Sequence, residues 1–320
     1  MINADKAPID IENIRLWLEG YKTMNGLSWA TLGVECSVAA GTLQPFCKGK
    51  YAGDNETIAR KIFKFKQMVD SRAERIQGIP VDPGYFETPT SLRLKAMLSI
   101  AHMGRMTVAG TGPGTGKTMI AREYAAMAEP VWTVTLRASQ KSLPSMVFAV
   151  QRALGIDIKW ATVARASQEV VNRMRGRKGL LIVDEANHLT IEGAEELRAW
   201  HDETGIGICL LGNEELIARM ESGSRSHQFA RINSRIAQRH VQNLPVEGDV
   251  IAFCDAWGIA DPGMRKLLTD VALTPGTGGL REIRQIVEMG SMLATDEGRP
   301  LELHDLRDAK STRATGSMVA

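Results

Sequence analysis

Apolar runs of membrane-crossing length are missing from this sequence: none approaches the roughly 20 residues that a bilayer-spanning helix needs. That predicts a protein with no membrane partner. Cysteine is also scarce. Cys36, Cys47, Cys209 and Cys254 are scattered, with no CxxC pair. This excludes a disulfide scaffold and predicts reduced, mostly buried thiols in a cytosolic protein. The histidines lack metal-ligand spacing. Neither sign of charge dominates, and a formal net charge of +2 is too small to imply a nucleic-acid partner by itself. The stretch from Met1 to Glu19 carries acids and no apolar segment of signal-peptide type, so the expected location is the cytoplasm.

What is present is ample for a large core. With 320 residues, 44% hydrophobic and 24% charged, the chain reads as globular, with a core domain and satellites. Residues 1–72 form a helical unit. IQGIPVDPGYFETP (76–89) holds three prolines and two glycines and reads as a linker, placed over 73–90. An α/β core follows over 91–245, then a helical portion over 246–320. In the core, MTVAG (106–110), VWTVTL (131–136), LLIVDEA (180–186), GICLLGN (207–213) and HVQNL (240–244) are short strands, mostly apolar on both faces. Such strands suit a parallel sheet covered by helices. One intervening helix runs from Ser142 to Leu154, with Gly155 as its stop.

The loop Thr111-Gly112-Pro113-Gly114-Thr115-Gly116-Lys117-Thr118 follows the first strand. Its glycines let backbone N–H groups close around phosphate, and the next helix adds its positive end. Lys117 is placed to reach the β- and γ-phosphates, and the Thr118 hydroxyl to coordinate Mg²⁺. The usual first glycine is Thr111 here, with Gly110 one position earlier. In LLIVDEA, Asp184 would hold the Mg²⁺ shell and Glu185 would polarise the attacking water. Asn213 ends GICLLGN, where a neutral amide can hold water and γ-phosphate together; a simple turn residue is the alternative. His188, near the acidic pair, reads as structural. Arg281, at a helix start after TPGTGG, is either a lid arginine reaching the γ-phosphate or a surface residue.

In FARINSRIAQRH, Arg231, Arg235 and Arg239 recur every four residues, which on a helix places them on one face. No acid lies between Ser222 and Pro245. Such a face either seeks an external anion, DNA phosphate or the γ-phosphate in a neighbouring subunit, or is simply a solvated basic face. A trans arginine of that kind raises turnover by roughly 10³–10⁵, and Arg235, then Arg231, is the candidate.

LSWATLGVECSVAAGTLQPFCKGKY (27–51) has a helix-turn-helix layout: Leu27 and Leu32 in the first helix, Gly33 at the crossing, Val38, Leu43 and Phe46 in the second. Thr42 and Gln44 are among the few groups there able to meet a base edge, and Pro45 should shorten the helix. Lys48 and Lys50 could hold phosphate. A protein-docking domain fits the same pattern. A second basic cluster, Arg165, Arg173, Arg175, Arg177 and Lys178, is suited to nonspecific phosphate contacts or to a solvated face.

TGPGTGKT, LLIVDEA, LLGN, SRI and GGLR, in this order, resemble the AAA+ ATPases. FARINSRIAQR, DAWGI (255–259) and KYAGDNE (50–56) narrow the resemblance to the B proteins of Mu-type transposing phages. That resemblance implies an AAA+ P-loop sheet with a helical lid, ATP as the nucleotide and ATPase activity. It also implies self-assembly into filaments on double-stranded DNA of any sequence, and delivery of that DNA to a phage transposase. A helicase loader and an operator-reading transcriptional regulator are the rival readings.

Overall fold

The computed structural model describes residues 9–77, 82–157, 162–221 and 226–313. The chain divides into two compact units, Met1–Ile79 and Pro80–Ala320.

Among the described residues of the first unit there are four helices: α1 (Ile11–Met24), α2 (Trp29–Glu35), α3 (Ala40–Cys47) and α4 (Asn55–Gln77). Polar caps set the starts of α1 and α2, with Asp10 accepting from the Asn13 N–H and Ser28 from the Thr31 N–H, both at 3.1 Å. Leu18, Leu32, Leu43, Phe46 and Ile62 fill the core. Gly33 sits where α2 meets the turn into α3: a β-carbon there would fall 2.7 Å from the Val38 carbonyl oxygen. Leu27 and Val38 belong to this core but lie just outside the helices expected to carry them. α3 continues two residues past Pro45.

α4 runs to Gln77, so residues 73–77 of the segment assigned to the linker are helical. SRAERIQ (71–77) contains no glycine or proline, so nothing ends the helix before Gly78. Residues 82–88 have no regular element, and Pro89 opens α5 (Pro89–His102) behind Thr88, whose side chain accepts from the Ser91 N–H at 3.0 Å.

The second unit is built on five parallel strands: β1 (Met106–Thr111), β2 (Val131–Thr135), β3 (Leu180–Asp184), β4 (Gly207–Gly212) and β5 (Ile236–Gln242), in the order β2-β3-β4-β1-β5. Alternation along the strands feeds two apolar layers. Leu180, Ile182, Cys209 and Leu211 pack with α5 and α6 (Lys117–Met127). Leu181, Val183, Ile208 and Leu210 pack with α7 (Leu143–Ala153), α8 (Val163–Met174) and α9 (Ile191–Thr204). Ser142 caps α7 and Gly155, at φ 68°, follows its end, as the sequence predicts. Helices α10 (Glu214–Glu221) and α11 (Ser226–Asn233) lead into β5. A lid of α12 (Glu247–Ala256), α13 (Pro262–Ala272), α14 (Leu280–Asp296) and α15 (Leu303–Ser311) has its own core around Phe253, Leu268, Ile283 and Ile286.

The expected helical face of Arg231, Arg235 and Arg239 does not form. α11 ends at Asn233, Arg235 lies in the turn, and Arg239 is on β5. The strand also starts earlier than the expected 240–244, because pairing from Met106↔Ile236 to Thr111↔Gln242 covers the full length of β1. A spacing of four suits the period of two along a strand as well as a helical turn.

Candidate functional site

At the C-terminal end of β1 the chain turns through the glycine loop into α6. Gly114 and Gly116 adopt φ of 72° and 92°, a region that costs other residues strain. Gly112 is needed for close approach: a β-carbon there would lie 1.9 Å from the Asn243 carbonyl oxygen. Thr111 fits without the usual glycine because its hydroxyl is buried against that of Thr115 at 2.8 Å, and Thr115 Oγ1 in turn donates to the Gly112 carbonyl at 2.9 Å. Pro113 is exposed on the loop. Lys117 Nζ donates to the Gly112 carbonyl at 2.9 Å. Burial pushes the Lys117 ammonium below its ordinary pKa, while the carboxylates of Glu185 and Asp184 oppose that shift.

Thr118 Oγ1 donates to Asp184 Oδ2 at 2.8 Å, joining the start of α6 to the end of β3. Asp184 is buried, and its Oδ1 accepts the Glu185 N–H at 3.0 Å. Glu185 takes a left-handed φ of 54°, a strained conformation that aims it into the cavity ahead of a 3-10 turn, Ala186–His188. Half-buried His188 ends that turn. Asn213 follows β4, and its Oδ1 is buried without a hydrogen-bond partner among the described residues. From the lid, the Leu280 N–H donates to the Gly114 carbonyl at 3.1 Å, which sets Arg281 at the cavity wall.

Gly114, Lys117, Thr118, Glu185, Asn213 and Arg281 line one end of a cavity of about 500 Å³, within the roughly 300–1,000 Å³ common for small-molecule sites. The other end was missed in the sequence. Tyr85 and Phe86 come from the supposed linker, Phe253 and Trp257 from α12 and its cap, and Arg122, Arg284 and Asp82 complete the wall. Phe253 stacks on Trp257 with centroids 5.4 Å apart and meets Phe86 edge-on at 6.1 Å. Asp82 pairs with Arg284 at 2.9 Å. The usable signals were aromatic residues inside a proline-rich segment and in DAWGI.

A hydroxyl and a carboxylate converging below a glycine loop are hard oxygen donors that fit Mg²⁺, which in phosphate sites takes one or two protein ligands and completes its shell with phosphate and water. Among the described residues no cluster of three or more His, Cys, Asp or Glu offers a self-sufficient metal cage.

The remaining candidates lie elsewhere. Arg235 is at the strand-start end of the sheet, opposite the glycine loop, and is not unpaired: its Nε and Nη2 donate to Asp202 on α9 at 2.8 and 3.3 Å. Arg239 pairs with Glu221 on α10 at 3.0 Å. Acids from other helices thus serve a stretch that has none of its own. Arg231 is exposed on α11. Arg173 is exposed in the last turn of α8, and Arg175, Arg177 and Lys178 are exposed between α8 and β3, also at the strand-start end, where Arg175 pairs with Glu203. In the first unit Gln44, Lys48 and Lys50 are exposed and Thr42 is half-buried.

The comparisons bear on both ends of the second unit. A family model for the AAA domain matches residues 103–220, and one for the C-terminal part of the Mu B transposition protein matches residues 234–312. The ATP-dependent target DNA activator B of Escherichia phage Mu is 31% identical over 302 residues, which is 94% of this chain and 95% of that protein. The chain belongs to the Mu B family. A second relative, the Mu-like prophage FluMu DNA transposition protein B of Haemophilus influenzae, is 32% identical over 263 residues, or 81% of this chain and 90% of that one. The structure of Drosophila ORC bound to DNA contains a chain with a TM-score of 0.52 at 14% identity, covering 78% of this chain and 65% of that chain, a likeness of fold. Membership of the Mu B family and the parallel five-stranded sheet agree with the α/β AAA+ architecture expected from the sequence. No helix among the described residues is long and apolar enough to cross a membrane.

Proposed function

We propose that this protein is an ATP-dependent activator of target DNA: an ATPase that assembles on double-stranded DNA and presents it to a phage transposase. The observation that carries the reading is the Thr118–Asp184 hydrogen bond of 2.8 Å beneath the glycine loop, with Glu185 and Asn213 lining the same cavity. ATP is the substrate. The loop amides and Lys117 bind its β- and γ-phosphates, and the base lies toward Phe253 and Trp257. Thr118 and Asp184 would hold Mg²⁺, which would supply charge neutralisation at the phosphates. Glu185 accepts a proton from the attacking water as Asn213 orients it, its unpartnered Oδ1 accepting one water hydrogen and its amide N–H facing the γ-phosphate. Arg281 adds positive charge from the lid.

Arg235 cannot serve its own site. Strand β1 spans five residue steps between the level of Arg235 and the glycine loop, about 16 Å at ~3.3 Å per residue, more than one arginine side chain covers. A role at phosphate therefore requires a second copy, with the strand-start end of one subunit against the cavity of the next. Arg231, exposed near the end of α11 and four residues before Arg235, is the second candidate. A head-to-tail contact that does not close yields a helical filament. The helices of 1–72, with Thr42, Gln44, Lys48 and Lys50, and the Arg173–Lys178 segment are the proposed phosphate contacts, reading shape and charge rather than sequence.

The test is electron microscopy on long duplex DNA of random sequence with Mg²⁺ and ATP. The wild type is expected to form continuous ATP-dependent filaments and Lys117→Ala none. Unchanged assembly by Lys117→Ala would sink the reading, and discrete rings would favour a helicase-loader role.

A further inference from the structure

Arg235 is held at the subunit surface by a carboxylate that is itself anchored. Asp202 stands in the last turn of α9 and accepts Arg235 Nε on one oxygen and Nη2 on the other, a two-point grip on one edge of the guanidinium. Arg198, one turn earlier on α9, donates to the same carboxylate and is braced in turn by Glu195. On the other edge, Arg235 Nη1 donates to Ser234 Oγ at 3.1 Å. Three of the five guanidinium N–H groups are thereby engaged, and the rest remain for an outside acceptor. The side chain of Arg235 keeps 44% of its surface exposed, so those donors are reachable by a second molecule.

We propose that Asp202 is a positioning residue for Arg235: it fixes the guanidinium edge-on so that the free N–H groups meet the γ-phosphate bound in a neighbouring copy of this chain. The inference rests on the trans role given to Arg235 above. Asp202 does not line the cavity of its own chain. An exposed arginine without this grip samples many rotamers, and ordering it at each turnover costs entropy that a pre-set fork avoids. Arg198 matters because a free aspartate would follow the arginine rather than hold it.

The experiment measures DNA-stimulated ATP turnover by the full chain for wild type, Arg235→Ala, Asp202→Ala, Asp202→Glu and the double alanine variant, with binding of a fluorescent ATP analogue measured without DNA. Asp202→Ala is expected to lower kcat about tenfold, with KM for ATP and analogue affinity unchanged, because a misplaced group costs up to ~10²-fold. Asp202→Glu should recover part of the rate, and Asp202→Ala should add nothing to Arg235→Ala. Asp202→Asn, which keeps shape and one acceptor oxygen, replaces the alanine variant should that one melt early. If Arg235→Ala leaves kcat intact, the trans role itself fails. If Arg235→Ala slows turnover while Asp202→Ala does not, or speeds it, the positioning role alone is overturned. A further loss on adding Asp202→Ala to Arg235→Ala overturns it as well.

Discussion

Replacing Gly114 with alanine tests whether the lid and the phosphate loop act as one body. The added β-carbon would fall 1.8 Å from the Gly278 carbonyl oxygen and 3.0 Å from the Arg281 nitrogen. Ordinary contact begins near 3.4 Å, so the lid turn must retreat by about 1.6 Å. That retreat breaks the Leu280–Gly114 hydrogen bond, worth about 1 kcal/mol. The left-handed φ of 72° adds about 1–2 kcal/mol for a residue with a β-carbon. Together these set back the phosphate-binding conformation by about 2–3 kcal/mol, or roughly 30- to 150-fold in nucleotide affinity at ~1.4 kcal/mol per tenfold. Gly176→Ala is the control. Its φ is 74° but nothing lies within 4 Å of the new carbon, so it carries the strain without the collision. Titration with a fluorescent ATP analogue should show a large loss for Gly114→Ala and none for Gly176→Ala, with similar small drops in melting temperature. Equal affinity for Gly114→Ala and wild type would refute the claim that lid contact shapes the loop.

Three other outcomes are expected. Lys117→Ala removes ATP-dependent filaments, as seen by microscopy. Glu185→Gln keeps nucleotide binding and assembly but lowers hydrolysis by about 10²–10⁴, the usual worth of a general base, in a phosphate-release assay. In the lid, Arg299 grips the buried Asp305 carboxylate at two points and holds its pKa down at about 2. A depressed carboxylate stabilises the fold above its unfolded pKa, near 3.8, and that contribution fades as pH falls through about 2. Melting curves of wild type and Arg299→Ala should therefore differ most at pH 5 and above and converge on acidification; a constant gap would contradict the assignment.

How much was legible follows from sequence distance. The glycine loop, Asp184, Glu185 and Asn213 could be read because each sits at the end of an apolar strand that announces itself locally. Even the odd Thr111 is explained locally, by Thr115 four residues on. The aromatic end of the cavity could not be read in this way. Tyr85 and Phe86 sit in a proline-rich segment, and Phe253 joins them from more than 160 residues away through α12 packing. The arginines misled for a related reason. A spacing of four fits strand and helix alike, and the absence of nearby acids said nothing about Asp202 or Glu221, brought in from α9 and α10. Tertiary pairing decided both matters.

The sheet has a direction, and any stack built on it inherits that direction. With the cavity at one end of the strands and Arg235 at the other, each proposed junction joins unlike surfaces. A stack then always terminates in one pocket lacking an arginine and one arginine lacking a pocket. A lone subunit would hold ATP without turning it over, a pair would have one working junction, and the average per subunit would climb with length. Old ATP would persist at one tip alone, so the two tips would grow and shrink at different rates.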